Sequence, residues 1–473
     1  MSTSIQENQA VVPGSAEYEI LRTRFFHSRV PNAKPTRIYT PRTTLDVAEI
    51  IKEARSNNWK VGVRSGGHLF PCCSLVQDGI LIDTCYLNQG IDYDRQTQLV
   101  SFPPGARSRE LAKGVSDIGR FFPFGHAPTV AAGGFLLAGG QGWFMRGWGC
   151  SSDTWVVRME IVTPDGRIVQ ASKTENEDLF WAARGSGQGF FGVVTRIWGR
   201  TIPMRRLWET SVVFDSSQSE SCSEILTALF EVSDRTPKHG VEMAFATFRP
   251  DRDEPGLDEE VHDTGIFVAA NAVAFADTLA EAEVLLSPWT NLPETLKKHL
   301  IATVPIEPRT WDDIFDAQDR LIPYGNGERW QCDSILDRPG VAREELVEAI
   351  KPAMWDLPTR RSIGCIYIAD YVPDENDQAI SLPQHYYIAS MTCWRDPSWD
   401  ARMSRWMLDK YTQAAKVSCG QYIADFDVNQ RITPVLSDTA LKKFLAIRQK
   451  WDPEDMFVGY RGFSGLAAVP ASV

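Results

Sequence analysis

Apolar and polar positions follow two different patterns along the chain. Over the first 200 residues, short strands and helices are linked by glycine turns. Residues 44–56 place Leu45, Ala48, Ile51 and Ala54 near helical spacing, with Thr44 as N-cap, and the next segment, WKVGVR, reads as a buried strand. Further strands follow at 80–83 and 99–102, and a helix over 108–118 stops at Gly119. Residues 120–152 are dense in glycines and aromatics with neither period, which predicts a structured loop system. A hairpin follows, WVVRMEIV and RIVQA around Pro164, Asp165 and Gly166. A short helix at 176–183 then leads through GSGQG into the strand FGVVTRIW.

From about 205 to 430 the pattern lengthens. Amphipathic helices at 217–233, 275–286, 341–350 and 398–415 alternate with strands such as EMAFATF, GIFVAANAVAF, RWQCDSIL and HYYIASMTCW, as expected of a second α+β domain. A last helix over 437–453, with Ser437 as N-cap and Pro453 past its end, is expected to pack back on the first unit before an aromatic tail.

The 473 residues suit two domains sharing a cleft, and 43% hydrophobic with 23% charged residues argues for filled cores rather than disorder. A net charge of -12 has the wrong sign for neutralising nucleic acid or anionic lipid. The nine cysteines are odd in number and irregularly spaced, which reads as reduced thiols. With no leader pattern in the first 20 residues and no Asn-x-Ser/Thr sequon, a cytoplasmic protein is expected. The longest apolar stretches are broken by glycines, so no membrane helix is expected.

Two glycine clusters carry candidate chemistry. In VGVRSGGHL a strand runs into Ser65, Gly66 and Gly67 and presents His68. Consecutive amides in such a turn form an anion nest, to which Arg64 adds charge; the segment equally suits a tight turn with a satisfied histidine. In GHAPTVAAGGFLLAGGQGWFMRGWG, small residues beside Phe135, Leu136, Trp143 and Trp148 suit either a wall against a flat ligand or a packing loop between domains.

Other motifs exclude rather than assign. GQGFFG at 187–192 matches G-x-G-x-x-G, but a helix precedes it and a strand follows, the reverse of a Rossmann site. No glycine cluster continues into a Walker lysine, no H-x-x-x-H or C-x-x-C pair supports a metal, and G-x-S-x-G is missing.

Taken in order, IYTPRTTLDVAEIIKEAR, WKVGVRSGGH, GILIDTCYLN, GHAPTVAAGG, VTPDGRIVQAS, ENEDLFWAARGSGQGFFGVVT and KWDPEDMF resemble the flavin-linked oxidoreductases of the berberine bridge enzyme-like group, within the vanillyl-alcohol oxidase and p-cresol methylhydroxylase (PCMH) superfamily. The resemblance spans nearly the whole chain. It implies an α+β, two-domain PCMH-type fold: an FAD-binding domain over 1–204, a substrate domain of antiparallel sheet covered by helices over 205–430, and a C-terminal return over 431–473.

The resemblance also implies FAD joined covalently through His68. Arg64, Ser65, Gly66 and Gly67 map onto the pyrophosphate loop. Ala127, Pro128, Thr129 and Val130 with Gly133, Gly134, Gly139 and Gly140 map onto a second contact segment, and Gly192 and Val194 onto a third. Many relatives carry a second flavin-linking cysteine in G-x-C-P. Here Gly125, His126, Ala127 and Pro128 stand there, so no cysteinyl link is expected, and Cys72, Cys73 and Cys150 read as small buried side chains. The family's Y-x-N-Y-x-D segment appears as Tyr422, Ile423, Ala424, Asp425, Phe426 and Asp427, without the inner Asn and Tyr. Tyr422 and Asp425 are therefore catalytic candidates, and His385, from the stretch Asp377 to Pro383, Gln384 and His385 near another family position with an acid shortly before Pro-x-His, is the third; each is equally readable as a structural residue. The implied function is oxidation of an alcohol, amine or activated C–H in a small, largely apolar specialised metabolite, with oxygen as electron acceptor or, in a dehydrogenase, electrons passed elsewhere. The alternatives are a flavin-fold isomerase or cyclase without net redox change and a binding protein that has lost the cofactor.

Overall fold

The computed structural model describes residues 10–87, 90–253 and 265–459; residues 1–9, where the leader pattern was sought, and the end of the aromatic tail lie outside them. Three sheets organise the chain. The first has the order Ala10–Val11, Arg37–Tyr39, Ile80–Asp83, Val61–Arg64, and its last three strands run parallel. Ile80–Asp83 is buried at every position, as a central parallel strand must be. The second is antiparallel, in the order Asp92–Asp94, Leu99–Phe102, Val193–Arg200, Val156–Val162, Ile168–Ser172.

The third sheet is antiparallel and eight-stranded, in the order Leu300–Arg309, Arg206–Asp215, Phe267–Ala276, Val241–Phe248, Ile363–Tyr371, Gln384–Trp394, Arg329–Asp337, Ser418–Gly420. Period-two alternation divides its residues between two cores. Tyr386, Ile388, Phe245 and Ile335 pack under the helices Ser219–Arg235, Arg343–Trp355 and Asp400–Ala414, whereas Tyr387, Ala389 and Leu336 join the core of the first half.

Several predicted elements shift. The helix Thr44–Ser56 is capped by Thr43 rather than Thr44, because the Thr43 hydroxyl accepts from Asp46 N while the Asp46 carboxylate accepts from Thr43 N. The predicted loop system over 120–152 contains short helices at Ala132–Leu137 and Met145–Trp148, too brief to show a period. The helix expected from 275 begins at Leu279, since Phe275 and Ala276 end a strand and Thr278 caps the helix.

The C-terminal helix Asp438–Trp451 is capped by Ser437 and returns to the first half: Phe191 meets Phe444, Lys450 pairs with Asp178, and Val61 N donates to Met456 O. All nine cysteines are free, and burial pushes most of the thiols up, that of Cys73 to about 12. No helix of the described residues is long and apolar enough to cross a membrane.

An aromatic cluster joins the halves. Phe275 lies 5.1 Å from Phe121, 5.3 Å from Phe144 and 5.5 Å from Trp148, ring centre to ring centre. Phe275→Ala should cost about 3–5 kcal/mol in denaturant unfolding, because a ring enclosed on all sides leaves a cavity when removed. A loss below about 1 kcal/mol would show that this junction does not hold the halves together.

Candidate cofactor and substrate site

The strand Val61–Arg64 ends in the glycine turn, and what fixes that turn is a buried ion pair. The Asp83 carboxylate, at the end of the neighbouring parallel strand, accepts from Arg64 Nε at 3.1 Å and Nη2 at 2.7 Å, and from Arg24. Arg64 also donates to Leu21 O at 2.6 Å and lies over the Phe25 ring. Its guanidinium is thus committed to Asp83 rather than projected at a ligand, although Nη1 remains buried without a partner. Gly67 has φ +71, and a Cβ there would lie 2.8 Å from Arg24 O.

Beyond the turn opens a cavity of about 330 Å³ between the two halves. From the first half it is lined by Arg64 to Leu69, by Ala127, Val130, Gly133 and Gly134, and by Gly192 and Val194; from the second, by Glu242, Tyr367, Tyr387, Met391, Tyr422 and Asp425. Gly66 abuts Ala131, where a Cβ would come within 2.8 Å of the Ala131 Cβ, and a Cβ on Gly134 would meet nothing within 4 Å. Bare main chain along one wall suits close approach of a dinucleotide.

His68 lines this cavity. Its Nε2 lies 3.0 Å from Thr129 Oγ1 and its ring stacks on Phe26 at 4.1 Å. Burial, reinforced by the neighbouring His27, pushes its pKa down to about 3, so the ring is neutral and one nitrogen keeps a lone pair. A neutral imidazole beside bare glycine backbone fits a histidine-linked flavin.

The remaining expected contacts separate. Thr129 touches His68, whereas Gly139 packs on Ile380 and Gly140 on Ser151 and Phe135, behind the cavity wall. Cys72 and Cys150 are buried in packing positions, and Cys73 lines the cavity.

The catalytic candidates separate too. Tyr422 and Asp425 line the cavity; His385 does not. His385 stands at the beginning of the strand Gln384–Trp394, its side chain 47% exposed and 3.4 Å from Asp337, while the following ring face of that strand belongs to Tyr387. Burial raises the Tyr422 phenol well above its usual value, so the group is a neutral hydrogen-bonder rather than a phenolate; its oxygen accepts from Gln141 N at 3.5 Å.

Asp425 behaves differently. Burial pushes its carboxyl up to about 6, the nearby Tyr387 and Ser334 hydroxyls holding the shift back, and Oδ2 forms no well-shaped hydrogen bond. The loop carrying both residues is tied down by the buried Asp333, which accepts from Gln421 at 2.7 Å, Gln430 at 2.6 Å and Arg431 at 2.8 Å.

Sequence reasoning did not single out Glu242, Tyr367, Tyr387 or Asp333. An acid in an otherwise largely apolar strand was the available signal for Glu242; nothing local marks Asp333 or the tyrosines.

The cavity thus lies between a glycine-walled first half and an antiparallel sheet that presents polar groups. Residues 35–172 match the FAD binding domain family. Over its length the chain is 28% identical to the FAD-linked oxidoreductase nodO of Hypoxylon pulicicidum, across 94% of this chain and 95% of that protein, and 29% identical to janO of Penicillium janthinellum, across 93% and 94%. Among solved structures, 6-hydroxy-D-nicotine oxidase of Arthrobacter nicotinovorans superposes with TM-score 0.78 at 18% identity over 97% of this chain and 98% of that one. Physcomitrella patens BBE-like 1 superposes with TM-score 0.77 at 18% identity, over 95% of each chain. Residues 35–172 thus carry an FAD binding domain, the chain is similar along nearly its whole length to FAD-linked oxidoreductases, and its fold is the PCMH-type fold shared with the berberine bridge enzyme-like structures.

The pKa of Asp425 has a thermodynamic consequence. An acid whose folded pKa of about 6 exceeds its unfolded value of 3.8 binds more protons when folded, so stability falls as pH rises between those values. Asp425→Asn should therefore stabilise the protein above pH 6, by on the order of 2–3 kcal/mol, and give no gain below pH 4. Urea melts at the two pH values decide it; an equal effect at both would refute the shift.

Proposed function

We propose that the protein is an FAD-dependent oxidase or dehydrogenase, with the flavin linked through His68, that oxidises an alcohol, amine or activated C–H of a small, largely apolar specialised metabolite. The observation carrying this reading is the neutral His68 ring set beside bare glycine backbone on the wall of the cavity between the halves. In this reading residues 1–204 with 431–473 hold the cofactor and 205–430 the substrate. When bound, FAD supplies the electron sink that accepts a hydride from substrate carbon.

The chain's own residues do the rest. The amides of Ser65, Gly66 and Gly67, with that of Gly134 in the helix Ala132–Leu137, would hold the pyrophosphate, and the Arg64–Asp83 pair fixes the 65–67 turn. His68 would anchor the ring system, and with Ala127 in place of a cysteine that position would add no second link. Asp425, ionised above about pH 6, accepts the proton that leaves a substrate O–H or N–H as the C–H bond breaks, and Tyr422 donates a hydrogen bond that orients the reacting group. Aromatic and aliphatic walls at Tyr367, Tyr387, Met391 and Ile322 exclude water and favour a largely apolar body.

In the oxidase form of this reading molecular oxygen is the electron acceptor, and in the dehydrogenase form another carrier is; the setting is cytoplasmic, supported by nine free thiols and a sequence without sequons. Neither nucleic acid nor membrane is a partner, in keeping with the net charge of -12.

Denatured holoprotein should retain yellow absorbance and an intact mass increased by one FAD, and His68→Ala should lose both. An adduct that survives His68→Ala would move the link to another residue. Anaerobic addition of a substrate should bleach the flavin; product formed without bleaching would favour an isomerase or cyclase.

A further inference from the structure

The same cavity is lined by a polar pair that the reading above does not use. His126, in the loop before Ala127, places Nε2 2.9 Å from Oε1 of Glu242, which comes from the strand Val241–Phe248 of the eight-stranded sheet. Both side chains line the cavity and both are largely enclosed, 15% and 9% exposed. The pair therefore crosses from one half of the molecule to the other.

Its geometry is fixed from several sides. The other carboxylate oxygen of Glu242 accepts from Phe144 N at 2.6 Å. Phe144 delivers that amide from a left-handed conformation, φ +64, which a bulky aromatic adopts only when its surroundings impose it. The His126 ring is held between Trp143 at 4.8 Å and Tyr367 at 4.7 Å. Asp425 and Tyr422 already handle the departing proton in the reading above, so this pair is free for a different task.

A carboxylate partner sets the tautomer of an imidazole. With Nε2 engaged by Glu242, Nδ1 is the ring nitrogen left to meet a ligand, and no hydrogen bond among the described residues uses it. We propose that His126, oriented by Glu242, is a specificity-determining acceptor that binds a hydroxyl or N–H group of the substrate at a point removed from the carbon being oxidised. This rests on the flavoenzyme reading and narrows its substrate class to molecules with an apolar, ring-sized body and a hydrogen-bond donor besides the reacting one. A hydrocarbon lacking the second donor would leave the acceptor unpaired when water is expelled, which is where discrimination arises.

Phenol and anisole test this directly, since they share a ring and differ in the donor. The oxidised holoenzyme, labelled with ¹⁵N-histidine, is titrated with each, following the His126 resonance and the flavin absorbance. Phenol should bind about tenfold more tightly than anisole and move the His126 Nδ1 signal. His126→Phe, which keeps a ring between Trp143 and Tyr367, should bring phenol down to the affinity of anisole, and Glu242→Gln should narrow the difference because the ring is no longer held in one tautomer. Equal binding of the two probes, no binding of phenol, or a phenol preference that persists in His126→Phe overturns the proposal. Flavin content after denaturation reports separately on the flavoenzyme reading, so a colourless preparation and an indifferent His126 are different failures.

Discussion

Asp83 is the point on which the nucleotide side of the molecule turns. Its carboxylate is completely enclosed, and it accepts hydrogen bonds there from two guanidiniums and the Cys85 amide. That pairing fixes the ends of two parallel strands and, through Arg64, the angle at which the glycine turn leaves the sheet. Everything offered to the cavity from 65 to 69, His68 included, inherits its position from this buried charge. An arginine that sequence alone suggests as a ligand for phosphate instead acts one step back, as the brace of the loop.

The other wall obeys sheet geometry. Tyr367 pairs with Tyr387 across adjacent strands, and Glu242 lies on the next strand over, so one face of the sheet presents a row of hydroxyl and carboxylate groups to the cavity while Tyr386 and Ile388 face the helices. Asp425 reaches the same cavity by a different route, from a loop that has no regular hydrogen-bond ladder and is pinned through Arg431 to Asp333. The polar groups of this site thus rest on two kinds of support: a rigid sheet for His126's partner Glu242, and a buried ion pair for the loop of Tyr422 and Asp425.

Much of this was legible in the chain because it is local. Strand ends marked by glycine, the run ILID, the turn Pro164-Asp165-Gly166 and the cap at Ser437 depend on near neighbours, and the structure has strands, turn and cap there. Thr43 and Thr44 are both good caps, and only the reciprocal bond with Asp46 selects between them. The cavity itself was less legible. Whether Arg64 points at a ligand or at Asp83 depends on a strand nineteen residues later, and whether His385 faces the cavity depends on where its strand begins relative to Tyr367. The pairing of His126 with Glu242 joins positions 116 apart, a distance over which no periodicity carries information.

The state of the sulfurs has a further bearing on durability. Peroxide attacks thiolates and leaves thiols largely alone, so sulfur chemistry near a flavin is governed by how much anion each cysteine carries. Cys73 sits on the cavity wall with its proton held by burial, and burial likewise pushes the thiols of Cys150 and Cys332 up. In the oxygen-reducing form of the function proposed above, peroxide would meet these sulfurs as thiols, the form least open to sulfenic acid damage.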